Sequence, residues 1–293
     1  MKVSGFTFIK NAVTNDYPIV EAITSILPIC NEFIVALGKS DDSTAELIRS
    51  IPTDKIRIVD TIWDNTMKEG GRVFAAETDK AFAAISPDTD WAFYIQGDEA
   101  VHELDLPKIK HEMEVCLNDP EIEGLLFNYL HFYGSYKYLT DARKWYRREI
   151  RVVKRKCNVR SYRDAQGFRI DDRKIKVKLI PATIYHYGWV KPPNGLVRKG
   201  QNFRYFYDKD AQITEIPETA GYDYANAVNL KPFKGSHPLV MKNRIDQATW
   251  PFDPNVRHKT NHSLRERILQ KVYELTGIRI GEYKNYRIVH KRS

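Results

Sequence analysis

Two adjacent carboxylates, Asp98 and Glu99, follow directly on the apolar run WAFYI at residues 91–95, across Gln96-Gly97. Acidic side chains at the end of a strand suit a hard divalent cation, Mg²⁺ or Mn²⁺, which takes oxygen ligands and keeps several waters. An ion held there would neutralise a diphosphate and help it depart. The same pair also fits a plain acidic turn after a buried strand, so its surroundings must decide. A second polar segment, Ser40-Asp41-Asp42-Ser43-Thr44, follows the apolar run at 32–37 and offers several helix caps.

The elements that would position these residues alternate. Residues 2–9 are rich in β-formers and read as a strand. Asn15 or Asp16 can cap a helix with Pro18 in its first turn, Ile19, Val20, Ile23, Ile26 and Leu27 forming its apolar face, and Pro28 ending it. Residues 32–37, 56–59 and 91–95 are further strands, separated by a helix through Ile51 and another carrying Val73, Phe74, Phe82 and Ile85 after Gly70-Gly71. Such alternation implies right-handed crossovers and a largely parallel sheet, in which ligands sit beyond the carboxyl ends of the strands. The Ser40–Thr44 segment and the Gly97-Asp98-Glu99 turn both lie at such ends. Beyond a helix at 105–117 the runs 125–132, 149–153 and 176–187 are strand-like, and helices are expected at 196–207 and 264–275.

The formal charge of +8 hides an asymmetry. Residues 1–142 carry 12 Lys/Arg against 24 Asp/Glu, and residues 143–293 carry 34 against 14. The excess concentrates at 143–160, with nine basic residues and one acid, and at 255–293, with ten against three. These are either solvated faces or surfaces for phosphate, of a substrate or of an anionic membrane. The three cysteines (Cys30, Cys116 and Cys157) show no CxxC spacing, which fits free thiols in a reducing compartment. No apolar run reaches bilayer-spanning length, and the N-terminus reads as a strand instead of a signal peptide. GxGxxG after the first strand and GxxxxGK[ST] are both missing, against dinucleotide and P-loop sites. A nucleic-acid binder would account for the basic half but not for an acidic first half.

The strand order, the SDDST turn and the acidic YIQGDEAVHE segment resemble the GT-A nucleotide-binding domain, and in particular glycosyltransferase family 2. The resemblance covers residues 1–105, and a looser one extends through EIRVVKR, IYHYGWV and GSHPLVM. It implies an α/β fold: a Rossmann-like, mostly parallel sheet flanked by helices, with a mixed acceptor-side portion and a helical C-terminal extension. The divisions expected are 1–105 for the nucleotide-sugar half, 106–192 for the acceptor half and 193–293 for the basic extension. The implied activity is inverting transfer of a sugar from a nucleotide-diphosphate donor to a hydroxyl of a glycan or lipid-linked acceptor, as in polysaccharide or lipopolysaccharide synthesis. A non-catalytic sugar-nucleotide binder is the alternative.

Carried onto this chain, the resemblance makes Asp98 the surviving metal-binding carboxylate of a DxD-type motif, with Glu99 beside it and Gln96 in place of the first Asp. His186, in IYHYGW, would complete the shell of the divalent metal, Mn²⁺ or Mg²⁺, a part for which His102 and Glu103 compete. A hydrogen-bonded histidine among packed aromatics is its other reading. Leu37 stands where the family often has Asp, which leaves nucleotide contacts to Ser40, Asp41 and Asp42, or leaves these as caps. Arg72 would meet the diphosphate, unless it is an ordinary surface cation. Inverting transfer needs a general base for the acceptor hydroxyl. Asp164, in YRDAQGF, is the first candidate; Glu149, alone among arginines in WYRREIR, is the second and is expected to be ionised and salt-bridged. The expected setting is cytoplasmic, peripheral on the inner membrane face through the basic C-terminal segment, with no nucleic-acid partner.

Overall fold

The computed structural model describes residues 1–293 apart from 65, 68, 144, 209, 225–228, 256–263 and 290–293. In the first third, β1 (Val3–Ile9), β2 (Glu32–Gly38), β3 (Ile56–Thr61) and β4 (Trp91–Tyr94) alternate with α1 (Ile19–Ile26), α2 (Thr44–Arg49) and α3 (Arg72–Ala83). The four strands pair in parallel in the order β3-β2-β1-β4. Helices cover both faces, so β1, β2 and β4 are buried on both sides, while the edge strand β3 exposes Arg57 and Asp60. On one side Val3, Phe33, Val35, Trp91 and Phe93 pack with Ile19, Ala22, Ile23 and Ile26 of α1. On the other, Phe6, Ile34, Ala36, Ala92 and Tyr94 pack with Ala81 and Phe82 of α3.

The remaining elements are β5 (Glu99–Val101), α4 (Leu106–Cys116), β6 (Gly124–Tyr133), β7 (Ser135–Thr140), β8 (Arg148–Lys154), β9 (Arg160–Tyr162), β10 (Gly167–Ile170), β11 (Arg173–Lys174), β12 (Lys176–Trp189), α5 (Pro193–Tyr207), β13 (Leu230–Pro232), α6 (Lys242–Asp246), α7 (Leu264–Thr276) and β14 (Arg287–Ile288). β8 joins the parallel strands to the rest by pairing antiparallel with both β4 and β6. β12 runs parallel to β6 and antiparallel to β5. β9, β10 and β11 form a small separate sheet. This is the α/β class expected from the sequence, a Rossmann-like parallel portion flanked by helices with a mixed second half.

Local differences have physical causes. Neither Asn15 nor Asp16 caps α1: the helix starts directly after Pro18 without a side-chain cap. Asp16 instead adopts φ 48 and its carboxylate pairs with Arg244. Pro28 lies inside a short 3₁₀ turn, Leu27–Ile29, that extends α1, because proline is tolerated at the start of such a turn. β5 was not expected. It makes Glu99 the first residue of a strand, opposite His186 on β12.

Candidate functional site

The loop after β4 brings Asp98 to the carboxyl end of the parallel strands, where the backbone N–H of Tyr187 on β12 donates to the Asp98 carbonyl at 2.8 Å. The Asp98 side chain is buried. One oxygen, Oδ2, lies 3.1 Å from Lys199 Nζ and 3.6 Å from His186 Nε2. Burial alone would raise the carboxyl pKa, but the charges of Lys199 and His186 outweigh it and hold Asp98 well below the usual carboxylate range. Gly188 makes this meeting possible. A Cβ there would come within 2.4 Å of Asp98 Oδ2, 2.4 Å of Lys199 Nζ and 2.8 Å of His186 Nε2.

His186 is oriented from behind. His131 Nε2 lies 2.7 Å from the Tyr146 carbonyl, which can only accept, so that nitrogen carries a proton. Burial and the neighbouring His186 hold His131 well below the ordinary histidine value, which keeps it neutral. Its Nδ1 is therefore an acceptor, and His186 Nδ1 donates to it at 3.2 Å. The other nitrogen of His186 is thereby turned toward Asp98. Asp98 Oδ2 and His186 Nε2, the imidazole held through its second nitrogen, are the two atoms here that could ligate a cation, and the Lys199 ammonium already stands 3.1 Å from that oxygen.

Glu99 does not join them. Fully buried, it accepts from Arg151 Nε at 2.8 Å and Nη2 at 2.7 Å, from the Gln96 backbone N–H at 3.0 Å, and from the Tyr129 hydroxyl. Its acceptor capacity is spent inside the protein. Among the described residues no group of three or more His, Cys, Asp or Glu is arranged to hold a metal. The competitors are tied down elsewhere: His102 lies 3.0 Å from Ser236 Oγ, and Glu103 accepts from the Leu239 N–H at 3.0 Å.

On the nucleotide side, Ser40 and Asp42 stitch the loops after β1 and β2 together. Ser40 Oγ accepts from the Asn11 N–H at 3.0 Å and donates to the Gly38 carbonyl at 2.9 Å. Asp42 accepts from the N–H groups of Thr14 at 2.7 Å and Thr44 at 3.1 Å. Asp41 and Arg72 are exposed at the same edge, Arg72 being the first residue of α3. Gln96 reaches the Ala165 carbonyl at 3.4 Å and Arg151 Nη2 at 3.5 Å.

α5 crosses this edge. Lys199 meets Asp98, Arg198 donates to the Thr14 carbonyl at 2.6 Å, Asn202 to Asn15 at 2.6 Å, and the Tyr207 hydroxyl to Asp164. Phe206 packs against both Trp63 and Phe74. Asp164 sits on a loop whose flanking residues, Arg163 and Ala165, have positive φ of 56 and 62. Its Cβ lies 2.8 Å from where a Cβ on Gly71 would be, which brings it to the start of α3.

Glu149 differs from expectation. It is buried on β8, forms no ion pair among the described residues, and leaves Oε2 without a hydrogen-bond partner. Its arginine neighbours point elsewhere: Arg151 to Glu99 and Arg147 to Glu282. Burial, partly countered by Arg151, pushes its carboxyl up to about 8, so it is protonated at neutral pH.

Sequence reasoning missed Lys199, His131 and Arg151. Arg151 left a signal: in EIRVV, alternation places it on the same face as Glu149, among Ile150, Val152 and Val153. Lys199 left none, because its partner is 101 positions away.

No family model and no curated protein matches the chain. Several solved structures are similar at low identity. A Staphylococcus aureus TarS fragment crystallised with UDP-GlcNAc is 13% identical, over 45% of this chain and 35% of that one, with a TM-score of 0.32. Glucosyl-3-phosphoglycerate synthase from Mycobacterium tuberculosis, solved with Mn²⁺ and UDP, is 20% identical over 45% of each chain, with a TM-score of 0.31. 4-Diphosphocytidyl-2C-methyl-D-erythritol synthase from Anaerococcus prevotii is 14% identical over 65% of this chain and 91% of that one, with a TM-score of 0.39. This chain thus spans less than half the length of the first and second of these.

Proposed function

We propose that the protein is a glycosyltransferase that uses a nucleotide-diphosphate sugar and inverts the configuration at the transferred carbon. One observation carries the reading: a buried, ionised Asp98 meets Lys199 and His186 at the carboxyl end of β4, beside the β1 and β2 loops, where a parallel sheet of this kind binds its ligand. Lys199 presents an ammonium to the phosphates, and Asp98 holds that ammonium in place. Arg72 adds charge at the exposed side, while Asp41, with Ser40, Asp42 and Gln96 behind it, borders the nucleoside. A divalent metal bound at Asp98 and His186 would supply further positive charge to the departing diphosphate. Asp164 serves as the base for the acceptor hydroxyl, oriented by the hydrogen bond from Tyr207. Glu149, protonated at neutral pH, is ill suited to that task.

A thermal-shift panel of UDP-, GDP- and dTDP-sugars, each with and without Mn²⁺, tests the donor site. Stabilisation by at least one nucleotide, larger with Mn²⁺ and lost in Asp98→Asn, is expected. No shift with any nucleotide sinks the reading.

The setting proposed is assembly of a surface glycan or lipopolysaccharide at an anionic cytoplasmic membrane surface. The basic excess of residues 255–293 supports it, although 256–263 and 290–293 lie outside the described residues. No helix among the described residues is long and apolar enough to cross a membrane. Binding to anionic liposomes that weakens with salt is expected; equal binding to neutral liposomes contradicts it.

A further inference from the structure

Behind the aromatic wall of the site lies a cavity of about 220 Å³, between β8 and the segment after α7. Six polar atoms of its lining are buried and have no hydrogen-bond partner among the described residues: Glu149 Oε2, Gln166 Oε1, Asn285 Nδ2 and Oδ1, Arg143 Nη1 and Arg279 Nε. The side chains of Glu149, Asn285 and Arg279 are all more than nine-tenths buried. Unpaired polar atoms in a protein interior are costly and uncommon, and six around one space call for a polar occupant. Exchanging the oxygen and nitrogen of the Asn285 amide changes nothing, since both atoms lack partners.

The charge in the lining is positive. Glu282 is neutralised by the Arg147 fork at 2.9 and 2.7 Å, and Arg279 by Asp141 at 2.7 Å. Arg143 donates to the Ile280 carbonyl, and neither it nor Arg148 forms an ion pair among the described residues. Guanidinium groups with unused N–H donors recognise oxyanions. Glu149, kept protonated by its burial, does not repel an anion and can itself donate. The lone oxygens of Gln166 and Asn285 need donors from the occupant, and hydroxyl groups supply them without adding positive charge to a lining that is already positive. An occupant that matches both demands carries an oxyanion and hydroxyls together.

The cavity adjoins the reaction site at two points. Tyr146, which lines it, packs on Tyr129 and His131 at 4.9 and 4.7 Å. Gln166 follows Ala165, whose carbonyl takes the Gln96 amide, and is two residues from Asp164.

We propose that this cavity is the acceptor subsite and that the acceptor is a hydroxylated anion, a sugar carrying a phosphate or a carboxylate, gripped by Arg143 and Arg148. The acceptor role rests on the glycosyl-transfer reading; binding of the anion does not.

Calorimetric titration of the full chain with glucose 6-phosphate, glucuronate, glucose and inorganic phosphate tests it. At least one charged sugar should bind at least about tenfold more tightly than both glucose and inorganic phosphate, the difference expected of charge-assisted hydrogen bonds added to hydroxyl contacts. Arg148→Gln and Arg143→Gln should each weaken that binding by about tenfold. Which charged sugar binds separates the phosphate source from the carboxylate source. Glucose binding as tightly, neither charged sugar binding, inorganic phosphate alone binding as tightly, or both variants binding unchanged would each overturn the proposal. Thermal shifts with nucleotide sugars on the same samples report the donor site separately, so a cavity that binds its anion beside a silent donor site counts against the donor reading alone.

Discussion

The Asp98 and Glu99 carboxylates are adjacent in sequence and buried in different company. Asp98 faces the Lys199 ammonium and the His186 imidazole beside Gly188, whereas Glu99 is enclosed by Arg151 and Tyr129. Substituting each should therefore fail differently. Glu99→Gln leaves the Arg151 charge buried without its counterion and should cost about 3–5 kcal/mol in urea unfolding. Unchanged stability would show that the pair contributes nothing to the fold. Glu149 gives a pH dependence. Burial pushes its folded carboxyl up to about 8 from the ordinary 4.5, so from the lower value to the higher the folded state holds a proton that the unfolded state has lost. Stability from this group is present below pH 4.5 and is lost as pH rises toward 8. Glu149→Gln should flatten the decline in unfolding free energy across that window, by a few kcal/mol at most. A decline as steep as in the parent protein would place the cause elsewhere.

Among the elements, β12 and α5 assemble what the chain scatters. β12 supplies His186 and Gly188 and pairs with β5; α5 brings Lys199 to Asp98 and Tyr207 to Asp164. Gly188→Ala tests this directly. Its methyl group would displace Lys199 from Asp98, and turnover should fall at least about 100-fold, as when preorganised charge at a site is lost. Stability should fall as well, by about 1–3 kcal/mol in urea unfolding, since two of the three crowded atoms belong to the buried Asp98 and His186. Turnover close to that of the parent would show that the three groups need not meet.

The parallel half was legible in the sequence because its signals are local: apolar runs of strand length, helical periodicity between them, and polar segments at their carboxyl ends. Asp98 and His186 could be singled out for the same reason, each following directly on an apolar run. What could not be read depends on tertiary register. A three-residue strand such as β5 has no periodicity of its own, and its partner strand turns Glu99 inward, away from the site. Glu149 looked ionised because five arginines surround it in sequence between positions 143 and 155; in space Arg147 and Arg151 pair with Glu282 and Glu99, and none of the five pairs with Glu149 among the described residues.

At the scale of the whole molecule, the acidic first half and basic second half are interleaved by the sheet. β8, from the basic half, inserts between β4 and β6 and buries Arg151 against Glu99. Part of the basic excess is thus consumed internally, and part faces the Arg143–Arg148 cavity and the Lys199 side of the cleft. This distribution suits the anionic ligands proposed for the cleft and for the cavity. The central claim is that Asp98 organises transfer from a nucleotide sugar, and the most direct measurement is nucleoside-diphosphate release from a panel of donors by the parent protein and by Asp98→Asn. Release from at least one donor, falling at least about 100-fold in the variant, is the predicted result. Equal rates in the two proteins, or no release from any donor, would contradict it.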